Sequence, residues 1–284
     1  MSTISIVPAQ QFSEGGGFLV RRPFPVADIS YVDPFLLIDE MGPADYGPGE
    51  AVGAPDHPHR GFETVTYMID GAMEHEDSHG HRGAIRGGDV QWMTAGAGVI
   101  HSEMPAADIL ERGGKMHGFQ IWVNLPKDKK LSQPRYQEYG GDTLPEYREN
   151  GRWVRVIAGE AGGRRSPIET TVPTTMLHVR LDPSAAAVFD IAPGSNAIVH
   201  AIAGAGRVLD RALNEHEVAI IEDAPSKIAV TAGAAGLEVL LLAGTPLREP
   251  VARYGPFVMN TREEVQRAFE DFHAGRFGEI ARVH

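Results

Sequence analysis

The feature that most limits the fold of this chain is its run of short apolar stretches, each closed off by Gly- or Pro-bearing turns. "ISIVPAQ", "FLLIDEM", "ETVTYMI", "DVQWMTA", "GFQIWVNL", "WVRVIAG", "TMLHVRLD", "AIVHAIAG", "EVAIIED", "KIAVTAG" and "LEVLLLAG" recur along most of its length. They are too short for amphipathic helices and rich in β-branched residues, so they read as strands. Many such strands at regular spacing predict an all-β architecture of sandwiches or barrels. The 33 Gly and 20 Pro among 284 residues supply the turns that this architecture needs. Between two groups of strands lies "LPKDKKLSQPRYQEYGGDTLPEYRENG" at 125–151, polar and poor in strand signals, which reads as a link between domains. The expected division is 1–135 and 136–250 for two β domains, then 251–284 for a C-terminal segment that packs on them.

That last segment holds the clearest helix signal. In "MNTREEVQRAFEDFHAGRFG", Thr261 and Glu264 have capping-box spacing, Val265, Ala268, Phe269 and Phe272 form one apolar stripe, and Gly275 can end the helix.

Composition removes several functional classes. There is no cysteine, so any metal must be held by nitrogen and oxygen. The formal charge is −12 and Lys and Arg are scattered, which argues against binding a phosphate backbone directly. The N-terminus lacks a basic region followed by an apolar core, and no run reaches membrane-spanning length. A soluble, cytoplasmic monomer that binds neither nucleic acid nor membrane is the expectation.

The chemistry concentrates in two short stretches. In "DHPHRGFETV", His57 and His59 stand at i and i+2, so on an extended backbone both imidazoles point to one face. Pro58 between them favours that backbone and, lacking an N–H, predicts a strand edge or a barrel rim. In "GGDVQWMTAGAGVIHSEMP", His101 and Glu103 repeat the spacing after the small-residue turn at 96–98. Two strands carrying these pairs can enclose one ion, and three imidazoles with a carboxylate suit iron, manganese, nickel, copper or zinc better than calcium or magnesium. Lone His178, His200 and His216 offer no such pairing, so no metal is expected in the C-terminal half. His79 and His81 read as turn residues, His75 as one that could reach the site, and His117 as a barrel histidine or a pocket residue. Trp92, Phe119 and Trp122 read as core, with a share in walling a cavity.

The stretches from His57 to Val65, His75 to Ser78, Gly88 to Pro105 and Phe119 to Pro126, with "YGPFVMNTREEVQRAFEDFHAGRFG" at 254–278, together resemble the pirin family of the cupin superfamily. That resemblance implies a bicupin: two cupin-type β-barrel (jelly-roll) domains with a short C-terminal helix, one mononuclear metal in the N-terminal barrel and a degenerate C-terminal barrel. It places the ligands on His57, His59, His101 and Glu103, with iron(II) as the first expectation for the metal. Glu63 occupies the usual cupin carboxylate position, but the resemblance moves that ligand to Glu103. Glu63 is then read as a partner for Arg60 or as an acceptor that orients a ligand histidine. Bacterial pirins resemble quercetin 2,3-dioxygenases, which implies opening of a flavonol ring by dioxygen with release of carbon monoxide and Glu103 as catalytic base. The rival implication is an iron-dependent, redox-responsive regulator that binds a transcription factor or metabolic enzyme.

Overall fold

Strands carry nearly all the regular structure of the computed structural model, which describes residues 2–282. Two compact units emerge. One comprises residues up to Gln10, Pro23–Leu36 and Asp142–Leu247, and the other Gln11–Arg22, Leu37–Gly141 and the chain from Arg248 onward. Sequence order and spatial grouping therefore differ: residues 2–10 lie with the C-terminal half, because Thr3–Pro8 pairs antiparallel with Glu217–Glu222. An edge strand gains ladder hydrogen bonds wherever a free edge is presented, and local sequence does not say which edge that is.

The unit built mainly from the C-terminal half holds the two-stranded pair Glu160–Ala161 with Arg164–Arg165 and one nine-stranded sheet. Its main path runs Thr3–Pro8, Glu217–Glu222, Asn196–Val208, Lys227–Gly244, Thr174–Leu181, Arg152–Ala158 and Glu146–Glu149. Alternate residues such as Val154, Leu177, Val199, Ile221, Val239 and Leu241 meet in its core. His178, buried against the edge of the Trp153 ring, faces the Glu238 carboxylate at 2.7 Å, and burial lowers its pKa. His200 is fully buried and His216 lies 3.4 Å from Glu215.

The other unit contains three sheets, one of them the two-stranded pair Ala252–Tyr254 with Phe257–Met259. Seven strands run in the order Arg135–Tyr139, Val90–Thr94, Phe62–Asp70, Gly114–Asn124, Phe35–Tyr46, Phe18–Phe24 and Gln10–Glu14. Four run Ala54–His59, Val99–Pro105, Ala72–Asp77 and Arg82–Arg86. Ala54–His59 is the outer strand of that smaller sheet, the place where a proline at position 58 loses no ladder bond.

Two α-helices occur among the described residues, one more than the sequence suggests. Helix α1, Ala107–Arg112, buries no residue and ends at Gly113 with φ 73°; six residues are too few to show an apolar stripe. Helix α2, Arg262–His273, follows the sequence reading closely. Thr261 accepts from the Glu264 backbone N–H while the Glu264 side chain accepts from the Thr261 N–H, completing the capping box. Val265 and Ala268 are buried, Phe269 and Phe272 pack with Phe257, Met259 and Phe277, and Gly275 follows at φ 72°.

Candidate metal centre

Register brings the histidines together. Ala54–His59 pairs antiparallel with Val99–Pro105 so that His57 lies opposite His101 and His59 opposite Val99. Opposed residues share a face, so the i, i+2 pair on one strand meets the histidine on the other. One ligand-capable atom from each of His57, His59 and His101 lies within 4.8 Å of the other two. The strand carrying His101 is launched by the tight turn at 96–98, where Gly98 (φ 134°) leaves no room for a Cβ: it would stand 2.6 Å from the Phe277 ring.

The electronic state of these rings suits a cation. His57 Nδ1 is 2.8 Å from the Pro55 carbonyl, which can only accept, so Nδ1 carries a proton and Nε2 is the nitrogen left to face a ligand. Burial, then the neighbouring His57, pushes the pKa of both His59 and His101 well below the ordinary imidazole value, keeping them neutral. Nδ1 of His59 and both ring nitrogens of His101 are buried with no hydrogen-bond partner. An unsatisfied buried polar group costs about 1–3 kcal/mol, and a metal ligated through one nitrogen of each ring would satisfy one such atom on His59 and one on His101.

Glu103 stands slightly apart. A bulge between His101 and Glu103 places Glu103 opposite Ala54, and its carboxylate falls outside the three-histidine cluster. Thr66 donates its hydroxyl to Oε1 at 2.8 Å and Gln120 its amide to Oε2 at 3.0 Å. Thr66 and Gln120 are themselves opposed across two strands and 2.8 Å apart. Neither was singled out in the sequence, since an alternating Thr or Gln looks like ordinary strand.

Glu63 does not pair with Arg60. It is fully buried and accepts from the Thr94 hydroxyl at 2.8 Å. Arg60 turns instead to the C-terminal segment: Nε donates to the Ala97 carbonyl at 2.6 Å, Nη1 to Asp271 at 2.7 Å, and the guanidinium lies 4.5 Å from the centre of the Phe277 ring. His75 is on a strand and buried, its Nε2 2.6 Å from Glu138 and its ring stacked on Tyr136. His79 and His81 lie exposed in the turn that follows, with His81 2.9 Å from Asp77. His117 is buried against Glu40 at 2.9 Å.

A cavity of about 480 Å³ opens beside the cluster, lined by His57, His59 and Glu103 together with Gln120 and Trp122. Trp92 and Phe119 are wholly buried core residues. Phe18, Leu37, Met41 and Met73 give the cavity an apolar side. Arg22, paired twice with Asp39 at 2.7 and 2.6 Å and once with Glu14 at 2.6 Å, gives it a charged one. Arg253 lies 4.6 Å from the centre of the Trp122 ring, which it covers as a cation–π partner. A volume in the range of small-molecule sites, mostly apolar with a few converging polar groups, suits a planar aromatic ligand.

Comparison with known proteins finds relatives along nearly the whole chain. The Pirin family profile matches residues 17–123 and that of the Pirin C-terminal cupin domain residues 176–278. Human pirin is 40% identical over 281 residues, spanning 97% of this chain and 93% of that protein. A candidate quercetin 2,3-dioxygenase of Pseudomonas aeruginosa is 39% identical over 267 residues, 93% of either chain. The crystal structure of quercetin 2,3-dioxygenase from Acinetobacter baumannii aligns with a TM-score of 0.92 at 36% identity, covering 99% of this chain and 100% of that one. The architecture is all-β, with two cupin-type domains.

Proposed function

The chain belongs to the pirin family, and we propose that it is a metal-dependent dioxygenase that opens the central ring of quercetin-like flavonols with dioxygen and releases carbon monoxide. The observation that carries this reading is the convergence of three imidazoles, two of which, His57 and His59, line a cavity of about 480 Å³. His57, His59, His101 and Glu103 would hold one divalent transition metal, with iron(II) proposed first. Such a metal, when bound, supplies Lewis acidity toward the flavonol 3-hydroxyl and a centre for dioxygen chemistry. Three neutral rings and one carboxylate leave a divalent site with about one positive charge, which favours an enolate or phenolate oxygen.

The remaining work falls to the chain. Glu103 is the proposed general base for the 3-hydroxyl proton. Its two oxygens are held by Thr66 and Gln120, which aims the carboxylate before substrate arrives. The Trp122 face and the Phe18, Met41 and Met73 side chains offer apolar surface to the flavonol rings and keep water from the reacting carbon. Arg22 and Arg253 line the same cavity and can meet hydroxyl or phenolate oxygens of the substrate.

The test is anaerobic reconstitution with single metals, followed by quercetin absorbance in air and measurement of carbon monoxide. Loss of the flavonol band with carbon monoxide release is expected for at least one metal. Stable absorbance with every metal, on protein verified to be loaded, would overturn the enzyme reading in favour of a protein-binding regulator.

A further inference from the structure

We propose that a small apolar cavity adjoining the metal cavity is a dioxygen site and entry passage, distinct from the mouth used by the aromatic substrate. The inference rests on the dioxygenase reading above for its ligand and on the following geometry for its place.

The second cavity, about 30 Å³, shares Phe18, Met41 and Met73 with the wall of the metal cavity. The same three side chains thus separate two spaces. It is further lined by Met68, Met116, Leu19 and Val52, the last two 55% and 36% exposed, so its lining includes residues at the protein surface. Met68 and Met73 are buried together with Ile85, and Met41 and Met116 pack against them. A volume of about 30 Å³ holds one small molecule, but a water there needs two to four polar partners. Thioethers and aliphatic carbons offer almost none. The polar side chains of the lining are the half-buried Tyr46 and His117, whose Nε2 already faces Glu40 at 2.9 Å. Such a space favours a small, uncharged, polarisable gas over water.

The two routes divide the traffic by chemistry. The larger cavity carries the charged groups Arg22, Asp39 and Arg253, which suit a polyhydroxylated aromatic. Once that molecule is seated, it occupies the route dioxygen would otherwise take. The methionine side leaves a second way in, and methionine, unbranched with three rotatable bonds, yields to a passing diatomic molecule at little cost.

The experiment applies xenon pressure to the zinc-loaded chain labelled at the methionine methyls, a readout independent of turnover. Shifts should concentrate on Met41, Met68, Met73 and Met116 among the nine methionines, and Met116→Phe, which fills the space, should abolish those of the other three. Absent or evenly spread shifts in the parent chain would overturn the site. In the iron-loaded chain Val52→Trp, a change at an exposed position, should raise the KM for dioxygen severalfold and leave the KM for quercetin unchanged. An unchanged dioxygen KM would overturn the passage. A parent chain without quercetin turnover would fail the dioxygenase reading alone, because the xenon result decides what the cavity accepts.

Discussion

Glu103 and Glu63 are both buried carboxylates, and their hydrogen bonds assign them different work. Glu103 lines the cavity and is held by Thr66 and Gln120, whereas Glu63 accepts from Thr94 and does not line it. Glu103→Gln keeps the shape but removes the charge and most of the basicity, so it should retain the fold and part of the metal while lowering quercetin cleavage roughly a hundred- to ten-thousand-fold. Glu63→Gln should leave substantial activity. Steady-state rates normalised to metal content check both, and wild-type turnover by Glu103→Gln would remove the base role. A second residue-scale outcome concerns Lys130, which is buried and donates to the Gly61 and Val258 carbonyls and to Asn124. Burial lowers its pKa to about 8 from 10.5. Between these values the unfolded chain binds the proton and the folded one does not, so stability from this group rises as pH rises from about 8 to 10.5. Relative to Lys130→Met, the wild type should therefore gain up to about 1.4 kcal/mol per pH unit across that window. Denaturant unfolding at pH 7.5 and 9.5 reads this, and a difference that is flat with pH would refute it.

At the scale of elements, the outer strand Ala54–His59 and the helix α2 show how local signals become a site. Pro58 tolerates only an outer position, and the i, i+2 spacing aims both imidazoles one way. The capping box is equally local: Thr261→Ala should cost about 1 kcal/mol of stability, read by thermal unfolding. The link between them is not local. Arg60, next to His59, meets Asp271 on α2 across 211 positions. Its side chain is 10% exposed and that of Asp271 23%, so screening is limited. Arg60→Ala and Asp271→Ala should each cost about 1–3 kcal/mol, and the double variant should cost clearly less than their sum. Strict additivity in that cycle would show the contact to be energetically idle.

For the molecule as a whole, the expectation is one equivalent of metal per chain, because the three-histidine cluster is the one group of this kind among the described residues. Elemental analysis after mild purification should return close to one. His57→Ala/His101→Ala should lose the metal and, with it, any rise in melting temperature on metal addition. Retention by that variant would move the site elsewhere. No helix among the described residues is long and apolar enough to cross a membrane. The sequence by itself determined the β-rich class, the cap and stripe of α2, and the facing of His57 with His59, because residue period and backbone restriction act over a few neighbours. Only the tertiary structure decided that Thr3–Pro8 joins the C-terminal half, that a bulge sets Glu103 apart, that Thr66 and Gln120 hold it, and that Arg60 chooses Asp271 over Glu63. Each of these is a choice among chemically equivalent partners far apart in sequence, and packing settles it by deciding which of them arrives within hydrogen-bonding distance.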